Sequence, residues 1–160
     1  LTRGDTAPFA LALLRPSAQR LVGYLRAMRD ADLPVDEDLI IRSAYSADDA
    51  QRAVDSFFER GTSATALHAT DAVLSSGTYH AIRDRGPALP DPLSFIAFDD
   101  QDWTTMVAPT ITVIEQPRQR LGAVAATALI GLIRGGAAEP HDRLLQAELI
   151  VRGSTAPCIA

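Results

Sequence analysis

Short apolar runs alternate along the chain with longer amphipathic stretches, the order expected of an α/β fold whose sheet is mainly parallel. Residues 9–14 (FALALL) form a compact apolar run ended by Pro16 and predict a buried strand. Ser17 stands where a helix N-cap belongs, ahead of residues 20–30, in which Leu21, Tyr24, Leu25 and Met28 fall on one face. Residues 40–45 (IIRSAY) predict a second strand. Ser46 with Asp48 and Asp49 then places acidic residues at the positive end of a helix that runs to about Arg60 and buries Ala50, Val54, Phe57 and Phe58. A third strand is expected over 65–69 (TALHA), followed by a helix opened by Asp71, running through Leu74 and Tyr79, and closed by Gly86. Residues 95–98 (FIAF) predict a fourth strand that hands directly to Asp99 and Asp100. A loop carrying Trp103 and Met106 leads to an extended stretch over 111–114. Pro117 then starts an apolar helix to about Ile133, stopped by Gly135 and Gly136, and 144–151 (LLQAELIV) close the pattern as a last strand.

Composition narrows the class. With 160 residues, 47% of them hydrophobic, the chain fits one ordinary globular domain. No stretch approaches the roughly 18 apolar residues of a membrane helix. The single cysteine, Cys158, allows neither an internal disulfide nor a Cys-built metal site, which points to a reducing, cytoplasmic setting. All fifteen basic residues are Arg, and they are scattered; with a net charge of −5 this is not the footprint of a nucleic-acid surface. If the protein acts on DNA, another segment touches it.

In open α/β sheets, ligands bind beyond the carboxyl ends of the strands, where loops and helix N-termini converge. That rule selects Arg15, Ser17 and Arg20 after the first run, Tyr45 after the second, Thr70 and Asp71 after the third, and Asp99 and Asp100 after the fourth. An Arg fork, an aromatic ring and carboxylates on one rim suit a small polar ligand, the charged groups bonding hydroxyls or amides and the ring stacking. Asp71 also reads as a plain N-cap, and Tyr45 as a strand-end core residue. His68, inside an apolar strand, reads as a hydrogen-bonded structural histidine. Catalysis is disfavoured: G-x-S-x-G, Walker and G-x-G-x-x-G motifs are missing, and His68, His80 and His141 make no metal-ligand spacing. No metal or cofactor is expected.

Several spaced motifs then occur in one order: ATDAVLSSG over 69–77, AIRDRGPALPDPLSFIAFDD over 81–100, PTITVIEQPRQRLGAVAATALI over 109–130, and AELIVRGSTAP over 147–157. Together they resemble the effector domain of the lac-repressor-like (LacI/GalR) family of bacterial transcription regulators. Thr112, Val113, Gln116 and Pro117 match the family's crossover, and Arg152, Ser154, Thr155, Ala156 and Pro157 its ending. The resemblance implies a type I periplasmic-binding-protein-like fold, with two α/β lobes and a small-molecule effector between them. It gives effector-binding roles to Arg20, Tyr45 and Asp99. Thr70 stands where sugar-responsive members carry Asn, and Ser17 lies in a loop that is shorter here than in the family.

The opening LTRGDTAPFALALL resembles a stretch from the middle of a full-length family chain. The resemblance therefore implies that residues 1–160 are the C-terminal effector-binding and dimerisation lobe, with a helix-turn-helix domain and most of the N-terminal lobe lying outside it. Operator DNA would be bound by that other domain and not by this segment. The helix over 117–135 would cross to the other lobe, leaving Leu121, Val124, Leu129, Leu132 and Ile133 to dock on a second copy or on residues outside the chain. Leu74, Tyr79, Trp103 and Met106 fall where family lobes pair as homodimers. A solute-binding protein of a sugar importer, which shares the fold, and an enzyme on a flavodoxin-like sheet are the alternatives.

Overall fold

A computed structural model describes residues 16–136 and 144–157. Helix α1 spans Pro16–Asp30, a 3-10 turn Glu37–Leu39, helix α2 Ala47–Glu59, strand β1 Ala66–His68 and helix α3 Ala72–Arg85. Strand β2 follows at Ser94–Phe98, the short helix α4 at Trp103–Met106, β3 at Thr112–Glu115, α5 at Arg118–Ile133 and β4 at Glu148–Ile150. The four strands lie in the order β1-β2-β3-β4. β1, β2 and β3 run parallel, with Leu67 beside Phe95 and Ala97 beside Val113, while β4 returns antiparallel, with Ile150 beside Val113. The α/β class and the mainly parallel sheet are as the sequence pattern implies.

The core sits on the two central strands. Phe95, Ala97, Ile111 and Val113 are wholly enclosed, joined by Leu93 and by Ile82 from α3. A side chain the size of Phe95 contributes about 1.5–3 kcal/mol on leaving water, so these strands anchor everything placed at their ends. Helix α2 starts where the Ser46 hydroxyl accepts the Asp49 amide and donates to its carboxylate, and it buries Ala50, Val54 and Phe57 against α3. Phe58 is half-buried against the core.

Three local expectations are corrected. Helix α1 begins at Pro16, so Ser17 lies inside the first turn and is not its cap; proline suits that place because its φ is already helical and its missing N–H is one that the helix leaves unpaired. Residues 40–45 form no strand. Ile40 is extended (φ −94°, ψ 94°), but a strand exists only through a ladder partner, and none pairs with it among the described residues. The apolar run 9–14, read as the first strand, lies outside the described residues. The segment with Trp103 and Met106 is not a plain loop but one helical turn.

Helix α5 follows Pro117 and stops at Gly135, whose φ of +81° is the left-handed conformation that suits glycine. None of its residues is buried: Leu121, Leu129, Leu132 and Ile133 are exposed and Val124 is half-buried.

Candidate functional site

Because β1, β2 and β3 are parallel and adjacent, their carboxyl ends share one edge. The segments that leave them, 69–71, 99–100 and 116–117, therefore share one rim. Arg20 reaches this rim from the second turn of α1. One of its guanidinium nitrogens donates to the Thr70 carbonyl at 2.6 Å and lies 3.8 Å from the Asp71 carboxylate, while the guanidinium carbon sits 3.9 Å from the centre of the Phe98 ring. A cation over a ring face is held by the ring quadrupole, which fixes the fork's plane as well as its position.

Asp71 caps α3, as its place in the sequence suggests: Oδ1 accepts the Val73 amide at 2.9 Å. Its other oxygen faces Arg20. The Tyr45 ring is 71% exposed, available for stacking. The neighbouring Asp71 carboxylate, through its hydrogen-bonding pull and negative charge, raises the phenol pKa above its ordinary value. Thus Arg20 meets Thr70 and Asp71 on the rim, and Tyr45 stands near the same carboxylate.

Asp99 closes the group from β2. Its amide donates to the Ile114 carbonyl at 2.8 Å, continuing the ladder, and Oδ1 accepts from the Gln116 side chain at 2.9 Å. Its φ is +65°. An L-residue there carries about 1–2 kcal/mol of strain, which Asp and Asn tolerate better than others. Strained backbone held by hydrogen bonds at a strand end is a common sign of a site built for binding. Ser17 is not drawn into this group: it is exposed one turn before Arg20, with no described partner.

Asp100 has a different task. It takes both ends of the Arg152 guanidinium, at 2.8 and 2.5 Å, accepts the Thr104 hydroxyl at 2.7 Å, and receives Arg118 on its backbone carbonyl. Arg152, aided by Thr104, holds its carboxyl below the usual carboxylate range. A lowered folded pKa stabilises the fold fully above the unfolded value near 3.8, and that contribution fades as pH falls through the lowered folded value. An Asp100→Asn variant should therefore be clearly less stable than the parent at pH 6 in urea unfolding, with the gap narrowing steadily below pH ~4. A gap independent of pH would show that the pair does not act through charge.

His68 ends β1 with an exposed edge and makes no hydrogen bond to a described residue. Neighbouring atoms that partly desolvate its ring, with the charge of Arg20, lower its pKa. It lines a cavity of about 90 Å³ with Leu67, Leu74 and Thr78. Leu74 thus faces inward, whereas Tyr79, about 140° further round α3, stacks on Trp103 at 5.1 Å between ring centres. Met106 stands 79% exposed beyond them. The four residues read as a pairing surface therefore split: three lie on one side and Leu74 does not. Among the described residues no group of three or more His, Cys, Asp or Glu could hold a metal, and no helix is long and apolar enough to cross a membrane.

Sequence reasoning missed two members of the rim: Phe98 beneath Arg20 and Gln116 beside Asp99. The parallel register that sets Phe98 beside Ile114 would have found Gln116, since it brings the two strand ends together.

What decides the family is the match of the sequence itself to that of a known domain. The profile of the periplasmic binding protein-like domain covers residues 9–155. The chain belongs to that family, in its LacI-type group. The probable opine utilization operon repressor of Rhizobium rhizogenes is 33% identical over 143 residues, covering 89% of this chain and 72% of that protein. The HTH-type transcriptional repressor CytR of Escherichia coli K12 is 32% identical over 136 residues, 85% of this chain and 40% of its own length. Among solved structures, a putative LacI-family regulator from Sanguibacter keddieii superposes with a TM-score of 0.78 at 28% identity, covering 88% of this chain and 54% of that one. The regulator CcpA of Lactococcus lactis gives 0.77 at 28%, covering 88% and 51%. This LacI-type chain thus spans about half of those structures, as part of an effector-binding domain. These relatives are transcription regulators and not enzymes.

Proposed function

We propose that this LacI-type lobe senses a small polar metabolite, such as a sugar, and controls DNA binding by a domain outside these residues. The observation that carries the reading is the convergence of Arg20, Tyr45 and Asp99 on one rim, at the carboxyl ends of three parallel strands. Asp99 keeps one oxygen without a described partner and so can accept from a ligand hydroxyl or amine, the fork of Arg20 donates, and the open Tyr45 ring stacks on an apolar face. Thr70 flanks them as a further polar contact. The ligand would be held between this rim and a second lobe, and it would shift the open-closed equilibrium by its difference in affinity for the two states. The exposed row on α5 is where that second lobe would pack. The side of Tyr79, Trp103 and Met106 would pair two protomers in the cytoplasm. The importer-protein alternative is less favoured, because the similar proteins named above are regulators.

Asp99→Asn tests the site without disturbing its backbone, since Asn tolerates the same positive φ. A full-length regulator would be screened by thermal shift against monosaccharides, disaccharides and nucleosides. For a compound that stabilises the parent, Asp99→Asn should weaken the response at least about 30-fold, as expected on losing a charged hydrogen bond, with operator affinity unchanged. An intact response in both Asp99→Asn and Arg20→Ala would remove these residues from the site.

A further inference from the structure

We infer that Glu115 is the positioning residue of this rim: its carboxylate fastens the corner that carries Asp99 to the end of β3 and so aims the Asp99 side chain. The inference rests on the effector-site reading for its purpose and adds to it a residue that acts through Asp99 and not on the ligand.

The peptides on both sides of Asp99 are pinned. The one before it is held where the Asp99 amide donates to the Ile114 carbonyl at 2.8 Å. The one after it is held where the Asp100 amide donates to Glu115 Oε2 at 2.7 Å. A hydrogen bond to a charged oxygen is shorter and stronger than one between neutral groups. With both flanking peptides fixed, the direction of the Asp99 Cβ is set by the backbone, which is what a φ of +65° needs in order to persist. Gln116 then completes the aim by donating to Oδ1 at 2.9 Å.

Glu115 is itself well anchored. Its backbone lies in the sheet, with Ile114 beside Phe98 of β2 and Glu115 opposite Glu148 of β4. Its side chain is mostly covered, with 24% exposed, and both oxygens are engaged: Oε1 accepts two nitrogens of Arg118 at 3.1 and 3.2 Å. Arg118, held in this way, donates to the Asp100 carbonyl at 3.0 Å. Both backbone polar groups of Asp100 are therefore tied, directly or through Arg118, to one carboxylate. Arg152 and Thr104 grip the Asp100 side chain instead, and neither bonds to the peptide between Asp99 and Asp100. The carbonyl of that peptide accepts the Gln101 amide at 3.1 Å, a bond inside the turn that moves with it. Glu115 is thus the side chain that joins this peptide to the sheet. A carboxylate aimed before the ligand arrives spares the binding step its ordering cost, which is how Glu115 would raise affinity without touching the ligand.

The test reads the corner without a ligand. In the full-length protein, residue-resolved amide hydrogen exchange is compared among the parent, Glu115→Leu, which removes the acceptor at similar size, and Glu115→Gln, which keeps one. Glu115→Leu should speed exchange at both Asp99 and Asp100 about tenfold or more, as expected on losing a charged hydrogen bond. The Phe98 amide, which donates to the buried Ser75 hydroxyl at 2.8 Å, should keep the parent's rate. Glu115→Gln should restore most of the protection. Acceleration at Asp100 alone would overturn the inference, because Glu115 would then satisfy one amide without holding Asp99. Equal acceleration at Phe98 would overturn it as a fraying of the sheet, and a Glu115→Gln protein as fast as Glu115→Leu would overturn it by assigning the effect to charge. None of these results bears on whether a ligand binds, so the effector-site reading stands or falls by its own screen.

Discussion

Ser154→Ala should cost the fold about 3 kcal/mol, the largest effect expected of so small a change. Ser154 is completely buried. Its hydroxyl donates to the Phe95 carbonyl at 2.6 Å and accepts the Thr112 amide at 2.8 Å, so one side chain bridges β2 and β3 just before their own ladder begins at Ile96 and Thr112. The Ser154 carbonyl also accepts the Phe95 amide. Alanine would leave a buried carbonyl and a buried N–H without partners, each worth about 1–3 kcal/mol, and the small loss of volume adds little. Urea unfolding of parent and variant measures it. A loss below about 1 kcal/mol would mean that water enters and replaces the hydroxyl, contrary to the sealed packing seen here.

The second large effect is expected at Gly77. Helix propensity alone would favour Gly77→Ala by about 1 kcal/mol. Packing opposes it: a Cβ at this position would lie 2.1 Å from the Ala47 carbonyl oxygen and 2.8 Å from the Ala50 side chain. The nearest obstacle is backbone at the first turn of α2, so no rotamer change relieves it and the two helices must separate. Overpacking of this kind costs about 1–3 kcal/mol, occasionally more, and here it spoils the burial of Ala50, Val54 and Phe57 as well. Packing should win, giving a net loss of about 2 kcal/mol, with Gly77→Leu failing to yield a folded chain. Thermal unfolding followed by circular dichroism reads both variants. A Gly77→Ala protein more stable than the parent would show that α2 and α3 can shift apart freely.

These two positions show where the sequence was legible. Apolar periodicity placed β2, β3, α2 and α3 closely, because each has either a full buried face or a strong start signal, as at Ser46 and Asp71. It failed at residues 40–45, where an apolar, β-branched run has strand composition but no described neighbour to pair with. It also failed to see what Ser154 does, since RGSTAP reads as a family ending and its value lies in contacts with residues 42 and 59 positions away. At the rim, Arg20, Tyr45 and Asp99 could be picked out as polar residues following apolar runs. Phe98 and Gln116 could not, because an aromatic at a strand end and a Gln before Pro carry no signal until the parallel register brings the strand ends together. The family resemblance puts Leu74 and Tyr79 on one pairing surface; the helical turn sends them to different sides.

The positive φ of Asp99 bears on how the proposed site could diverge. Only Asn and Gly share the ease of Asp in that conformation, so most replacements that might suit a new ligand would first distort the end of β2. Changes of preference should therefore accumulate at Tyr45 and Thr70, whose backbones carry no such restriction, while Asp99 stays fixed as a common anchor. A lineage of related sensors would then vary around an unchanging carboxylate, and its history could be followed in the residues that flank it.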